Sequence, residues 1–239
     1  MQNAGDSGAN TGPFDDHSER YDRWFDRHRA AYLSELLALR TFLSMGGYGI
    51  EIGVGTGRFA APLGVPLGLD PSEAMLERAA ARGIRTVVGV AEALPFPEQS
   101  FDYVLVVTTI CFVRSPEKML EEARRVLRPG GRLVIGFIDS LSRIGREYLK
   151  HQSESVFYRD AVLYSTAEVA GMLRQGRFRA RAWGQTLFHP LDEIREIEAV
   201  RPGTGDGAFV VVRAVRAGEK RVQLPGAAWP EVSTHSIHI

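Results

Sequence analysis

The residues of this chain with the greatest capacity for chemistry lie in one short stretch, Glu51 followed by Gly53, Gly55 and Gly57. The glycines fall at every second position, and Arg58 stands where a GxGxxG loop would place its third glycine. A GxGxxG loop brings backbone N–H groups and a helix N-terminus up to a pyrophosphate. Here an acid precedes the glycines instead. Glycine lets a backbone approach a ligand closely, while the Glu51 carboxylate repels phosphate and suits a cation. The spacing therefore predicts a nucleotide-like ligand that carries positive charge. A second acid, Asp70, ends the next apolar run. An acid there hydrogen-bonds ribose hydroxyls in nucleotide-binding α/β folds, and a carboxylate accepts from both hydroxyls at once. Because Pro71 follows, Asp70 is also placed to cap a helix, and the two roles are compatible. Thr108 ends a later strand-like run, and ligands in open α/β sheets bind outside the carboxyl ends of strands.

The hydrophobic pattern supplies elements to position these residues. Residues 48–52, 65–69, 86–90, 101–107 and 132–138 read as strands, the fourth apolar but for Asp102, as in a sheet buried on both faces. Helical patterns alternate with them: a short one at 58–63, then 71–82, then 116–127 with Glu121 and Arg125 an i,i+4 pair. Ser165 and Glu168 fit a capping box that opens another helix, ending near Gly176. Residues 178–186 and 208–215 read as the last two strands, separated by a helix-like piece at 191–198. Ahead of the sheet, 14–43 reads as one amphipathic helix ended by Gly46 and Gly47. Five alternating β units predict a doubly wound parallel sheet, and the last two strands predict an antiparallel edge strand.

Composition narrows the class. A chain of 239 residues that is 44% hydrophobic can bury an ample core. Lys+Arg and Asp+Glu are both 29, so no charge surplus argues for nucleic acid or an anionic membrane as partner. The single cysteine, Cys111, cannot form an internal disulfide. No signal-like or membrane-spanning apolar run occurs, and a cytoplasmic protein is expected.

In this order the blocks Glu51–Gly57, Gly68–Met75, Gly89–Phe96, Ser100–Val104 and Glu122–Gly131 resemble class I S-adenosylmethionine-dependent methyltransferases. The likeness is strongest to the small-molecule subgroup of ubiquinone and menaquinone biosynthesis type, and it covers roughly residues 47–215. The resemblance implies a Rossmann-like three-layer sandwich with a seven-stranded, mostly parallel sheet of order 3-2-1-4-5-7-6, strand seven antiparallel. It implies S-adenosylmethionine as cofactor, a cation as the spacing requires. By the same resemblance Glu51 sits near the cofactor's amino and sulfonium end, and Met75 packs near adenine. Ala91 and Glu92 read the adenine edge, and Thr108 faces the methionine moiety. Pro71 is placed with Asp70 at the ribose side. The chain departs from the family in two places. The stretch from Arg58 to Val65 leaves little room for the usual helix, and Val54 stands where many relatives carry cysteine. The expected organisation is a disordered N-terminus at 1–12, a methyltransferase domain at 13–216 with a helical lid at 13–46, and a loose tail at 217–239.

Methyl transfer is an in-line displacement in which the protein supplies mainly alignment and electrostatics. An acceptor that is already nucleophilic needs no dedicated base, and no residue is assigned as catalytic. None of the six histidines occupies a motif position. Asp139 follows strand five, where metal-dependent O-methyltransferases place a ligand, but no second acid accompanies it and no metal is expected. The expected partner is a small-molecule methyl acceptor. Tyr21, Trp24, Phe25 and His28, with Phe157, Tyr158 and Tyr164, form a candidate aromatic lid over it, suited to a cationic amine or a planar molecule. A hydrophobic seam between lid and domain would use the same residues. Two other functions remain open: a non-catalytic protein that binds S-adenosylmethionine or S-adenosylhomocysteine, and an NAD(P)-dependent oxidoreductase. Arg58 and the acid ahead of the glycines count against the oxidoreductase.

Overall fold

The computed structural model describes residues 11–43 and 46–217. The expected disorder of 1–12 and the tail at 217–239 lie almost wholly outside the described residues. The sheet is assembled from β1 (Gly49–Ile52), β2 (Leu67–Asp70), β3 (Arg85–Val88), β4 (Phe101–Val107), β5 (Leu127–Ile138), β6 (Phe178–Thr186), β7 (Arg201–Pro202) and β8 (Phe209–Arg216). Its order is β3-β2-β1-β4-β5-β8-β6-β7. The first five strands run parallel, and β8 inserts antiparallel between β5 and β6. This is the Rossmann-like methyltransferase sheet. It carries one strand more than expected, the two-residue β7 beside β6. The antiparallel strand is interior rather than at the edge.

The helices are α1 (Gly12–Asp16), α2 (Ser18–Arg27), α3 (Arg29–Phe42), α4 (Ala60–Leu63), α5 (Glu73–Ala81), α6 (Pro116–Val126), α7 (Arg143–Lys150) and α8 (Thr166–Gln175). Serine opens four of them: Ser72, Ser115, Ser142 and Ser165 each accept a backbone N–H three residues on. Such caps satisfy donors that the first helical turn leaves free. Ser165 and Glu168 complete the expected capping box. Ser72, not Asp70, caps α5, which frees Asp70 for other partners.

Three further expectations need correction. The single helix over 14–43 is three helices, broken at His17 and His28, whose backbones leave the helical region. No glycine or proline marks those breaks. Residues 191–198 form turns rather than a helix. Arg125 pairs with Glu122 at 2.7 Å, not with Glu121. That pair also ties down the loop after β3, since Glu122 accepts the Leu94 N–H and Arg125 donates to the Leu94 and Phe96 carbonyls.

The short stretch after the glycine loop is real: α4 has four residues and ends at Gly64. The N-terminal helices cover what a longer helix would have covered. Phe59 packs edge-on against Phe25 and Tyr32. Asp22 of α2 accepts from Thr56, Arg58 and Arg82 at 2.7–2.9 Å. Burial alone would raise the Asp22 carboxyl, but hydrogen bonds from Arg58, Thr56 and Arg82 outweigh it and hold it at about 2. Arg58 also reaches Asp26. One carboxylate thus clamps α2 to both the glycine loop and the end of α5.

Candidate active site

Two cavities open at the carboxyl ends of β1, β2 and β4. The smaller, about 260 Å³, is lined by Gly53, Gly55, Asp70, Pro71, Met75, Ala91, Glu92 and Thr108, with Tyr21 over it. Its floor is the glycine turn. Gly53 has φ +69°, and a Cβ there would stand 2.3 Å from Thr109 Cγ2, so the position excludes any side chain. Gly55 has φ +52°, and a Cβ would meet only the Tyr21 ring, at 3.7 Å. Its bareness keeps the backbone open to the cavity. Thr109 Oγ1 donates to the carbonyls of Gly53 and Val107, stitching the turn to β4.

Asp70 holds the turn in place. Its Oδ2 accepts the Gly55 N–H at 2.9 Å and its Oδ1 the Ser72 N–H at 3.0 Å. Burial pushes its carboxyl up to about 6 against the pull of those two N–H groups, with Asp15 adding to the rise. Glu51 and Gly57 do not line the cavity. Gly57 shapes the turn, its N–H donating to Val54. Glu51 lies buried underneath: the Ala60 N–H bonds its carboxylate, and Oε2 has no partner among the described residues. Burial, and next Asp70, hold the Glu51 carboxyl well above the usual range.

On the opposite wall, Glu92 lines the cavity while its Oε1 accepts from Arg114 and Ser115 N–H groups. This bond fixes the entrance to α6. Met75 is buried and lines the wall beside Asp70. Thr108 has φ +47°. A β-branched residue in the left-handed region is strained by roughly 1–3 kcal/mol, and such strain clusters at functional positions. Its N–H is held by the Gly136 carbonyl and its carbonyl by the Cys111 thiol.

The larger cavity, about 470 Å³, shares Tyr21 and Thr108 with the first. Its walls include Trp24, Phe25, Phe59, Tyr148, Phe157 and Tyr158, and also Glu35 and His151. The aromatic candidates named from sequence therefore converge, with two exceptions. His28 sits behind Trp24 at 5.0 Å between ring centres, and Tyr164 lines a separate small space with Cys111. Ring contacts of Phe157 with Phe14 and Tyr21 join α1 and α2 to the segment after α7, and Tyr158 packs on Phe112 after β4 and on Tyr148 of α7. Burial raises the Tyr21 and Tyr158 hydroxyls well above the usual phenol range. Asp139 is occupied elsewhere: it accepts from Leu141 N–H and from Thr166, tying β5 to α8.

Sequence reasoning missed Glu35, His151, Thr109 and the clamp at Asp22. Glu35 leaves a readable signal, an acid on the stripe of α3 otherwise made of Tyr32, Leu36 and Leu39. Tyr148 lies in α7 and His151 at its end, a helix that the sequence pattern between 141 and 164 does not announce.

The doubly wound sheet with a glycine turn, a strand-end acid and a cavity at the carboxyl edge defines a nucleotide-cofactor enzyme of the methyltransferase type. Residues 50–135 match the methyltransferase domain family model. A crystal structure of an S-adenosylmethionine-dependent methyltransferase of Thermotoga maritima, described as a possible histamine N-methyltransferase, is 48% identical with a TM-score of 0.83. The match covers 85% of this chain and 98% of that one. A Methanocaldococcus jannaschii protein is 42% identical over 84% of this chain and 97% of its own length. Demethylmenaquinone methyltransferase of Tropheryma whipplei is 30% identical over 58% of this chain and 69% of its own. The chain belongs to the S-adenosylmethionine-dependent methyltransferases, and membership implies S-adenosylmethionine as the cofactor. No helix among the described residues is long and apolar enough to cross a membrane.

Proposed function

We propose that the protein transfers a methyl group from S-adenosylmethionine, held in the smaller cavity, to a small molecule held in the larger one. The observation that carries this reading is the meeting of the two cavities at Tyr21 and Thr108. A methyl donor and an acceptor must approach within reacting distance along one line, and two compartments with a shared wall provide that arrangement.

The residues present fit the cofactor. The bare turn at Gly53 and Gly55 admits a ligand backbone-close, with Gly57 setting the turn. Asp70 with Pro71 would take the ribose hydroxyls, and Met75, Ala91 and Glu92 the adenine. Thr108 would face the methionine end. The unpartnered Glu51 Oε2 is a buried acceptor that fits a positively charged end group, reached directly or through water. Bound S-adenosylmethionine supplies a methyl carbon activated by a positive sulfur. The chain's own residues align it, exclude water with the aromatic rings of α1 and α2, and place Trp24, Phe25 and Tyr158 against the acceptor.

Calorimetric titration with S-adenosylmethionine, S-adenosylhomocysteine and NAD tests the reading. Both adenosyl ligands are expected to bind and NAD is not. Tight NAD binding without S-adenosylmethionine binding would contradict it.

A further inference from the structure

The larger cavity holds a carboxyl group that nothing else in the described structure uses. Glu35 of α3 is 4% exposed and lines the cavity. Among the described residues its side chain has no hydrogen-bond or ion-pair partner. An unpaired buried carboxyl is costly, so its place on an otherwise apolar helix face calls for a ligand. Tyr21 of α2, Tyr32 of α3, Tyr148 of α7 and Tyr158 all feel its charge, and Glu51 acts on two of the same tyrosines. Arg20, Arg23 and Arg27 of α2 and His151 line the same cavity. The three arginines are exposed, where water and salt screen them. Among the described residues Glu35 is the one carboxyl that lines this cavity.

We propose that Glu35 anchors a nitrogen methyl acceptor in this cavity and takes the proton that the nitrogen must lose before it can be methylated. The inference rests on the larger cavity being the acceptor site. An ammonium group has no lone pair to give. The ionised Glu35 carboxylate removes one N–H proton and becomes a neutral acid. The freed lone pair then forms the N–C bond as the C–S bond breaks and its electron pair stays on sulfur. Positive charge passes from sulfur to the methylated nitrogen, so atoms and charge balance with no further reactant. The surrounding ring faces favour a cation before and after the step. Burial pushes the free Glu35 carboxyl up to about 8, close to the pH at which a general base is most effective. Only the ionised form accepts a proton, so kcat/KM for an amine rises as pH increases through about 8.

The test uses the full chain and its Glu35→Gln and Glu35→Asp variants, with 2-phenylethylamine, whose one nitrogen is an ammonium, as the amine for kinetics, histamine for binding and catechol as the oxygen acceptor. Transfer of labelled methyl is measured against pH. Histamine binding to the S-adenosylhomocysteine complex is measured by calorimetry. Glu35→Gln is expected to lower amine kcat/KM on the order of 100-fold and to lose the rise near pH 8. It should weaken histamine binding roughly tenfold, with S-adenosylhomocysteine affinity unchanged and the thermal midpoint not lowered, since the amide removes the cost of a buried carboxyl. Glu35→Asp should recover part of the amine activity and of the pH limb. An unchanged pH profile and kcat/KM in Glu35→Gln overturns the role of Glu35, as does equal methylation of catechol by native and variant protein with no amine bound. Either result leaves methyl transfer itself standing. A complex that binds none of the probes and methylates none overturns the acceptor-site reading, and the role of Glu35 with it.

Discussion

The two cavities that meet at Tyr21 and Thr108 are built from different materials. The smaller is organised around backbone, a glycine turn with strand ends and capped loops, and closed by side chains such as Phe14, Tyr21 and Met75. Its turn and the acid that holds it lie on neighbouring strands, and Thr109 pins the turn from the end of β4. Asp70 holds the turn through Gly55 and the start of α5 through Ser72. The larger cavity is made of side chains delivered by separate segments, α2 and α3 on one side and residues 148–158 on the other. Backbone walls leave little freedom, since a Cβ at Gly53 collides with Thr109. Side-chain walls can be exchanged without disturbing the sheet. The contrast suits an enzyme that keeps one cofactor while its acceptor is set by a lining of exchangeable residues.

The largest expected effect comes from Gly53→Val. The left-handed backbone alone disfavours valine by roughly 1–2 kcal/mol, and the new side chain would push on Thr109. Affinity for S-adenosylhomocysteine should fall below detection in calorimetry. Retained affinity would mean that the smaller cavity does not depend on its backbone turn. Asp70→Ala should follow, weakening cofactor binding by about 1–3 kcal/mol through lost charge-assisted hydrogen bonds. Acceptor KM should stay unchanged at saturating cofactor. An equal loss on both sides would erase the division between the cavities. Trp24→Ala should have the smallest effect, raising acceptor KM roughly 2–10-fold, the worth of one aromatic contact. Cofactor affinity should not move, and a shift in cofactor affinity alone would reverse the assignment of the aromatic cavity.

The same contrast explains what the sequence made legible. Gly53, Gly55, Asp70 and Thr108 were readable because strand, turn and helix are coded locally, and the fold places their positions at one edge. The sheet order followed from alternation plus resemblance, though β7 was too short to leave a pattern. The larger cavity was only partly readable. Aromatic residues at 21, 24, 25, 157 and 158 stood out by type, but nothing in their spacing said that they converge. His28 has the same helical spacing and turns away, because the helix breaks at that residue. In the sequence Arg58 marks only a missing glycine. Its bonds to Asp22 and Asp26 become visible only once α2 is known to lie across the glycine loop. Glu35 carried a signal, an acid on an apolar stripe, that gains meaning from the cavity beside it.

The most direct test of the two-cavity arrangement is a crystal structure of the protein with S-adenosylhomocysteine. The ribose should lie within hydrogen-bonding distance of Asp70, the adenine against Met75 and Ala91, and the sulfur at the wall shared by Tyr21 and Thr108, with the aromatic cavity left for the acceptor. A product molecule seated among Trp24, Phe157 and Tyr158, with its ribose away from Asp70, would contradict the account.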